Sequence, residues 1–151
     1  MQTRHAELTP RLIDALYVEA MVLADEARSY FENHGRDDRL GLDPLARVGF
    51  SCESLKVTTR LMHVIAWLLN RRAVAAGEIS AREGQHPERR LGEAPDSDEA
   101  LLERLPESAL GLIRSSQELY ERVRRIDDGG AAEEPQPSPA RGLISRLQRS
   151  L

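Results

Sequence analysis

The residue types that carry out most enzyme chemistry occur in this chain without the spacing that such chemistry needs. Its four histidines are scattered, and none falls in an H-E-x-x-H or similar metal-ligand pattern. The serines lack a G-x-S-x-G context, and there is no glycine-rich phosphate loop. The single cysteine, Cys52, falls on an apolar helical stripe, where a thiol is typically inert. The sequence therefore predicts a protein that is not an enzyme and has no cofactor or metal site.

Charged side chains are the other candidate for chemistry, since they make up 30% of the chain. Many lie at helical spacing from an opposite charge, as Glu118 does from Arg122, which is typical of a solvated helix face. One enzyme alternative remains: small all-α dimers can hold a dianion between inward-facing arginines. That alternative requires an arginine at a core position, and none of the apolar stripes identified below contains one.

Nucleic-acid binding is a further alternative. A modest basic patch is formed by Arg60, Arg71, Arg72, Arg82, Arg89 and Arg90. The net charge of −4 and the glutamates among these arginines weigh against nucleic acid as a partner, and the predicted connections are too long for a helix-turn-helix. A dimeric helical scaffold or DNA-associated protein is kept as the alternative function.

The composition indicates a single helical domain. The apolar residues are mainly Leu, Ala, Val and Ile, with only 4% aromatic residues, in a chain of 151 residues. The longest apolar run, LMHVIAWLL at 61–69, is about half of a membrane span. The N-terminus lacks the pattern of a signal peptide, and one cysteine cannot form a disulfide framework. These features predict a cytoplasmic protein with no membrane contact.

Apolar periodicity predicts an all-α fold, an antiparallel three-helix bundle over residues 9–128. Flexible segments are expected at 1–8 and 129–151. The helices are predicted at about 9–34, 44–76 and 98–128, with a long loop at 77–97. Thr9-Pro10 and Asp43-Pro44 each read as an N-cap followed by a first-turn proline, and Pro106 is expected to kink the third helix or mark a fresh start. The core stripes expected for the first and third helices are Ile13, Leu16, Ala20, Leu23, Ala27 and Tyr30, and Leu102, Leu105, Ala109, Leu112, Ser116, Leu119, Val123 and Ile126.

The second helix carries two neighbouring apolar stripes. The first has a heptad-like spacing suited to helix packing: Val48, Cys52, Leu55, Thr59, Met62, Ala66, Leu69 and Ala73. The second comprises Val57, Leu61, Val64, Ile65 and Leu68. A central bundle helix could use both stripes internally. Alternatively, part of the second stripe packs against another copy in a two-fold dimer, whose interface would then be Leu61, Val64, Ile65 and Leu68.

The remaining face of this helix carries Lys56, Arg60, His63, Trp67 and Asn70. A tryptophan between Arg and His is typical of protein interfaces, so Arg60, His63 and Trp67 are candidate partner-binding residues. For Trp67 we favour the interpretation that its ring packs over a neighbouring helix or loop, with only the N–H hydrated.

The C-terminal tail combines a linker with a short apolar motif. PQPSP, at 135–139, is incompatible with regular structure and reads as an extended linker. The last eleven residues, RGLISRLQRSL, are too few for a stable isolated helix. One face of that nascent helix would carry Leu143, Ile144, Leu147 and Leu151. These four are candidate partner-binding residues of a disordered tail that folds on a partner.

Three stretches of the sequence resemble the regulator-of-CtrA-degradation family of alphaproteobacteria, also described as a domain of unknown function. They are YVEAMVLADEARSYFE (17–32), ESLKVTTRLMHVIAWLLNRRAVAAGEIS with the later LGEA (53–80 and 91–94), and LPESALGLIRSSQELYERVRRID (105–127). The resemblance spans most of residues 9–128.

This resemblance implies an adaptor of the ClpXP protease. Family members are expected to be antiparallel three-helix bundles that form homodimers and carry a flexible C-terminal peptide, which maps here onto residues 131–151. They help deliver cell-cycle transcription factors, CtrA among them, to the protease. They act together with a response-regulator-like co-adaptor that primes it. The implied partners are therefore the ClpXP protease, the co-adaptor, a transcription-factor cargo and a second copy of the chain.

Overall fold

The structure is a computed structural model that describes the backbone of residues 2–132 and the side chains of residues 10–129. The described residues form six α-helices and one 3-10 helix, which confirms the predicted all-α class. In chain order these are α1 (Gln2–Glu32), α2 (His34–Leu40), α3 (Pro44–Ala75), α4 (Ala81–Gly84), the 3-10 helix (Pro87–Arg89), α5 (Glu99–Leu102) and α6 (Glu107–Ala132).

The helix boundaries follow the local signals only in part. Asp43 caps α3: its carboxylate accepts a hydrogen bond of 2.9 Å from the main-chain N–H of Ala46, and this bond is the main cause that lowers the pKa of Asp43. α6 starts afresh directly after Pro106. α1, however, begins at Gln2 and not at Thr9, with Pro10 inside the helix. The fixed φ of proline is compatible with helical backbone, although one main-chain hydrogen bond is lost.

The directions of the three long helices differ from the predicted arrangement. α1 and α3 are antiparallel, because Phe31 packs on Phe50 with ring centroids 5.5 Å apart while Asp14 lies 3.5 Å from Arg72. α3 and α6 run parallel, because their partner numbers rise together: Arg60 bonds to Ser116, and Trp67 bonds to Asp127. An up-down-up antiparallel bundle is therefore wrong for this pair of helices.

Parallel neighbours require a connection that returns along the whole bundle, which explains the length of the loop predicted at 77–97. Residues 76–106, which we call the crossover segment, must cover about 48 Å, the length of α3 at 1.5 Å per residue. They contact α3 in reverse order, through Arg89 with Asn70, Ser97 with Arg60, the main-chain N–H of Asp98 with Glu53, and Arg104 with Asp43. The crossover segment thus lies in the groove beside α3.

The core stripes predicted for the first and third helices are largely buried, although Leu102 belongs to α5 and Leu105 to the turn before α6. The buried members are Ile13, Leu16, Ala20, Leu23, Ala27, Leu102, Leu105, Ala109, Ser116, Leu119 and Val123, while Tyr30, Leu112 and Ile126 pack against them at the margin. Ile113 is fully buried and was not among the predicted positions. Apolar residues spaced three and four positions apart in the sequence are thus enough to identify the inward face of these two helices.

α3 presents the opposite face to that expected. The heptad-like stripe points outward, with Val48 59%, Leu55 67% and Met62 64% exposed. The second stripe forms the core: Val57, Leu61, Val64 and Leu68 are at most 4% exposed, and Ile65 packs against them. The predicted dimer interface of Leu61, Val64, Ile65 and Leu68 is therefore wrong, because these side chains are already covered by α1 and α6 of the same chain.

Leu101 of the crossover segment packs closely against Gly49 of α3. A Cβ at Gly49 would lie 1.9 Å from Cδ2 of Leu101, whereas a Cβ at Gly111 in α6 would have nothing within 4 Å. We expect Gly49→Ala to lower the free energy of unfolding by about 1–3 kcal/mol through overpacking. Gly111→Ala should raise it by about 0.5–1 kcal/mol through helix propensity.

Urea denaturation of the two variants beside the parent chain would measure these changes. Because both substitutions place the same methyl group inside a helix, their difference isolates the packing of the crossover segment. A Gly49→Ala variant as stable as Gly111→Ala would show that this packing is absent in solution.

Candidate interaction site

A buried arginine joins α3, α6 and the crossover segment. Arg60 is 3% exposed, and its guanidinium donates hydrogen bonds to Ser116 Oγ (3.2 Å), to the carbonyl oxygen of Pro95 (3.1 Å) and to Ser97 Oγ (2.8 Å). Burial lowers the pKa of this guanidinium from its ordinary value. The expectation that no arginine occupies a core position was wrong. Its donors, however, are committed to the crossover segment and α6, which is a structural and not a substrate-binding role.

Glu53 lies on the same face of α3, seven residues before Arg60, and is 1% exposed. Its Oε2 accepts hydrogen bonds from Lys56 Nζ at 3.0 Å and from the main-chain N–H of Asp98 at 3.4 Å. Its Oε1 makes no hydrogen bond among the described residues. Opposite charges are therefore buried under the crossover segment, where the Glu53 carboxylate favours the charged form of Arg60. This electrostatic attraction offsets part of their desolvation.

Trp67 continues this face seven residues after Arg60. It is 4% exposed, and its indole N–H donates to Asp127 Oδ1 at 2.9 Å. The same carboxylate accepts hydrogen bonds from Arg90 Nε and from the main-chain N–H of Leu91. The preferred interpretation of Trp67 as a packed ring is thus confirmed, although its N–H bonds to a carboxylate and not to water. Arg71 covers the ring, with its guanidinium carbon 5.9 Å from the ring centroid.

The structure therefore reassigns the residues predicted to bind partners. Arg60 and Trp67 are buried and bonded within the chain, so neither is available at the surface. His63 is half-buried against Gly92, where a Cβ would lie 2.3 Å from its Nδ1. Leu143, Ile144, Leu147 and Leu151 lie outside the described residues. The seven-residue spacing of Glu53, Arg60 and Trp67 places them on one face of α3, but the spacing does not show that this face is the buried one.

An uncovered apolar surface runs along the opposite side of α3. This surface, which we call the outer stripe, comprises Leu45, Val48, Cys52, Leu55, Thr59, Met62, Ala66 and Leu69. It carries no charged residue and extends for about 36 Å at 1.5 Å per residue. Its large members are 48–67% exposed. Contiguous apolar surface of this kind typically marks a protein–protein interface.

Two other features, a metal site and a membrane-spanning helix, are absent from the described part of the chain. There, no group of three or more His, Cys, Asp or Glu side chains is placed to hold a metal ion. Among the described helices, none is both long and apolar enough to cross a membrane.

Comparison with known proteins places the chain in a family. Residues 4–151 match the family described as a protein of unknown function, DUF1465. The chain belongs to this family. Among solved structures, this DUF1465 member is similar to RcdA from Caulobacter crescentus CB15, with 34% sequence identity and a TM-score of 0.63 over 77% of this chain and 88% of RcdA. This similarity confirms the RcdA-like resemblance noted in the sequence. No curated protein matches the chain.

The buried Arg60 should contribute far more to the stability of this DUF1465 member than an exposed arginine of the same helix. Arg60→Ala removes three hydrogen bonds and leaves buried acceptors without a donor. We expect the free energy of unfolding to fall by about 2–4 kcal/mol. Arg72→Ala is the matched control, because Arg72 is half-exposed beside Asp14 and Tyr17. Its loss should cost less than about 1 kcal/mol.

Chemical denaturation would give both values, and limited proteolysis would show whether the crossover segment is cut earlier in Arg60→Ala. If the free energy of unfolding falls by the same amount in Arg60→Ala and Arg72→Ala, the role assigned to Arg60 is contradicted.

Proposed function

We propose that this protein is a non-enzymatic adaptor that helps deliver CtrA-type transcription factors to the ClpXP protease, together with a response-regulator-like co-adaptor. The observation that carries the proposal is the similarity to RcdA, at 34% identity over 77% of the chain. The role itself is that implied by the resemblance to the regulator-of-CtrA-degradation family. An adaptor of this kind acts in the cytoplasm, where both protease and cargo are found.

The arrangement of side chains supports binding more than chemistry. The buried residues Glu53 and Arg60 and the half-buried Asp127 bond to the crossover segment and neighbouring helices, so they stabilise the fold. The surface, by contrast, carries a long apolar stripe. An adaptor requires separate contact surfaces for cargo and protease, and a tethered second contact raises its effective concentration. We assign cargo or co-adaptor binding to the helical body and protease binding to the C-terminal motif of Leu143, Ile144, Leu147 and Leu151.

The outer stripe is our proposed homodimer interface, in place of the buried residues first predicted. Its heptad-like spacing is that of helices packed side by side, and a two-fold axis would place the same stripe of each copy in contact. The stripe is also neutral, so two copies meet without like-charge repulsion. Met62 lies near its centre and is 64% exposed in the single chain.

The dimer proposal predicts that a charge in the outer stripe separates the copies. Met62→Asp should weaken self-association by about 100-fold or more, because two carboxylates would be desolvated at the interface. Val18→Asp is the control, since Val18 is 61% exposed and lies on α1, a different helix from the one that carries the stripe. Sedimentation equilibrium of the variants would measure the association, and circular dichroism would verify that both remain folded. If Met62→Asp associates as the parent does, the interface lies elsewhere.

The adaptor proposal is tested by reconstituted proteolysis. In a mixture of purified ClpXP, the co-adaptor and a CtrA-type cargo, the protease should degrade the cargo faster when the full-length chain is added. A triple variant in which Leu143, Ile144 and Leu147 are each replaced by serine keeps the length and charge of the tail. It should slow this degradation by about tenfold or more, because the tethered contact is lost.

Serine at Gln136 within the linker is the control and should behave as the parent. If the triple variant is as active as the parent, the tail does not contact the protease. If the full-length chain gives no acceleration and instead binds DNA with a steep salt dependence, the scaffold or DNA-associated alternative is favoured.

A further inference from the structure

α1 has its own exposed apolar patch, separate from the outer stripe. This α1 patch comprises Ala15, Val18, Met21 and Val22, of which Val18 is 61% and Val22 53% exposed. Val18 and Val22 lie about 160–200° around the helix from the buried Ala20. The patch therefore points away from the core, toward solvent.

The α1 patch is bordered by carboxylates. Between residues 12 and 27, α1 carries Asp14, Glu19, Asp25 and Glu26 and no basic residue. Three of these carboxylates pair with arginines at the margin of the patch: Asp14 with Arg72, Glu19 with Arg122 and Asp25 with Arg28. These pairs are solvent-exposed and thus exchangeable. Glu26 makes no ion pair among the described residues, so the border can accept further positive charge.

The size of the α1 patch argues against a second copy as its occupant. Four side chains expose only a few hundred Å², whereas a stable protein–protein interface buries about 800 Å² on each partner. Two such patches would also bring their carboxylates together. The patch instead fits a short amphipathic segment with three or four aliphatic side chains and basic flanks.

The C-terminal segment 142–151 of the same chain has this composition. Leu143, Ile144, Leu147 and Leu151 fall within about 100° of one another on a helical wheel. Arg146 and Arg149 lie outside that arc, and Arg141 precedes it. Apolar and basic positions therefore complement the apolar and acidic positions of the α1 patch.

The end of α6 brings this segment within reach. Arg122 pairs with Glu19, and α6 is antiparallel to α1, so Ala132 lies near the level of residue 9 of α1. Val22 is then about 20 Å further along α1, on a helix about 10 Å wide. The intervening residues 133–141 span up to about 30 Å when extended. The chain is thus long enough to place segment 142–151 on the α1 patch.

We propose that residues 142–151 dock as a short amphipathic helix on the α1 patch of the same chain. Ten residues are too few for a stable isolated helix, but docking buries their apolar face, and the tether supplies an effective concentration in the millimolar range. A partner that binds α1 would release the segment. This last consequence rests on the proposed function, in which the segment contacts the protease, whereas docking itself does not.

Disulfide trapping in the full-length chain tests the docking. In a Cys52→Ser background, Val22→Cys and Leu147→Cys should form an intramolecular disulfide under mild oxidation, seen as a faster-migrating monomer on a non-reducing gel. Leu147 lies mid-segment, so its position depends little on the direction of the docked helix. The matched control pairs Leu40→Cys with Leu147→Cys, because Leu40 is as exposed as Val18 but lies at the other end of the bundle. We expect the Val22 pair to react about tenfold faster, since the tether alone supplies the background rate.

Adding Val18→Lys to the Val22 pair should reduce the rate of disulfide formation to that of the control pair, because it places a positive charge in the α1 patch. Val18 is exposed, so its replacement leaves the core intact. Equal rates for the Val22 and Leu40 pairs would overturn the proposal. So would a disulfide that joins two chains and increases with protein concentration, or faster trapping at Leu55→Cys on the outer stripe. No protease is present, so this result is independent of whether the adaptor function holds.

Discussion

The guanidinium of Arg60 lies where α3, α6 and the crossover segment meet, and it bonds to both of the other two. A buried cation without partners is strongly destabilising, whereas one whose donors are satisfied by fixed acceptors is tolerated. Those acceptors come from Ser97 and Pro95 on one side and from Ser116 on the other. The arrangement therefore requires the crossover segment to lie in its groove, and together with the bond from Trp67 to Asp127 it keeps α6 parallel to α3.

The same requirement determines the surface of the protein. Leu55, Met62 and Leu69 each follow a buried residue of the polar face by two positions, which is about 200° around the helix. A rigid helix that buries Glu53, Arg60 and Trp67 must consequently turn these three apolar side chains outward. The exposed outer stripe is thus a direct consequence of the interior contacts of α3.

The two sides of α3 therefore have different roles: the buried polar side stabilises the fold, and the exposed apolar side is available for recognition. The polar and aromatic residues that seemed suited to partners hold the crossover segment, as Trp67 does through Asp127 and Arg90. The aliphatic residues that seemed suited to the core form the surface available to partners. In a member of the DUF1465 family with RcdA-like structure, contact by apolar helix faces is in keeping with an adaptor, which must bind proteins and perform no reaction. Buried aromatic and charged side chains require hydrogen-bond partners at fixed positions, and here the crossover segment supplies such partners.

The sequence by itself determined the helical class, the inward faces of α1 and α6, and local features such as the Asp43 cap and the fresh start after Pro106. These depend on short-range periodicity and on side chains within four residues of the backbone groups they bond. In α1 and α6 one apolar stripe repeats at spacings of three and four residues along the helix, whereas the second apolar patch of α1 is confined to residues 15–22. Only the tertiary structure decided which side of α3 is buried and that α6 runs parallel to it. α3 is apolar on two sides, and its orientation depends on partners 56 and 60 residues away, Ser116 for Arg60 and Asp127 for Trp67, which local periodicity does not encode.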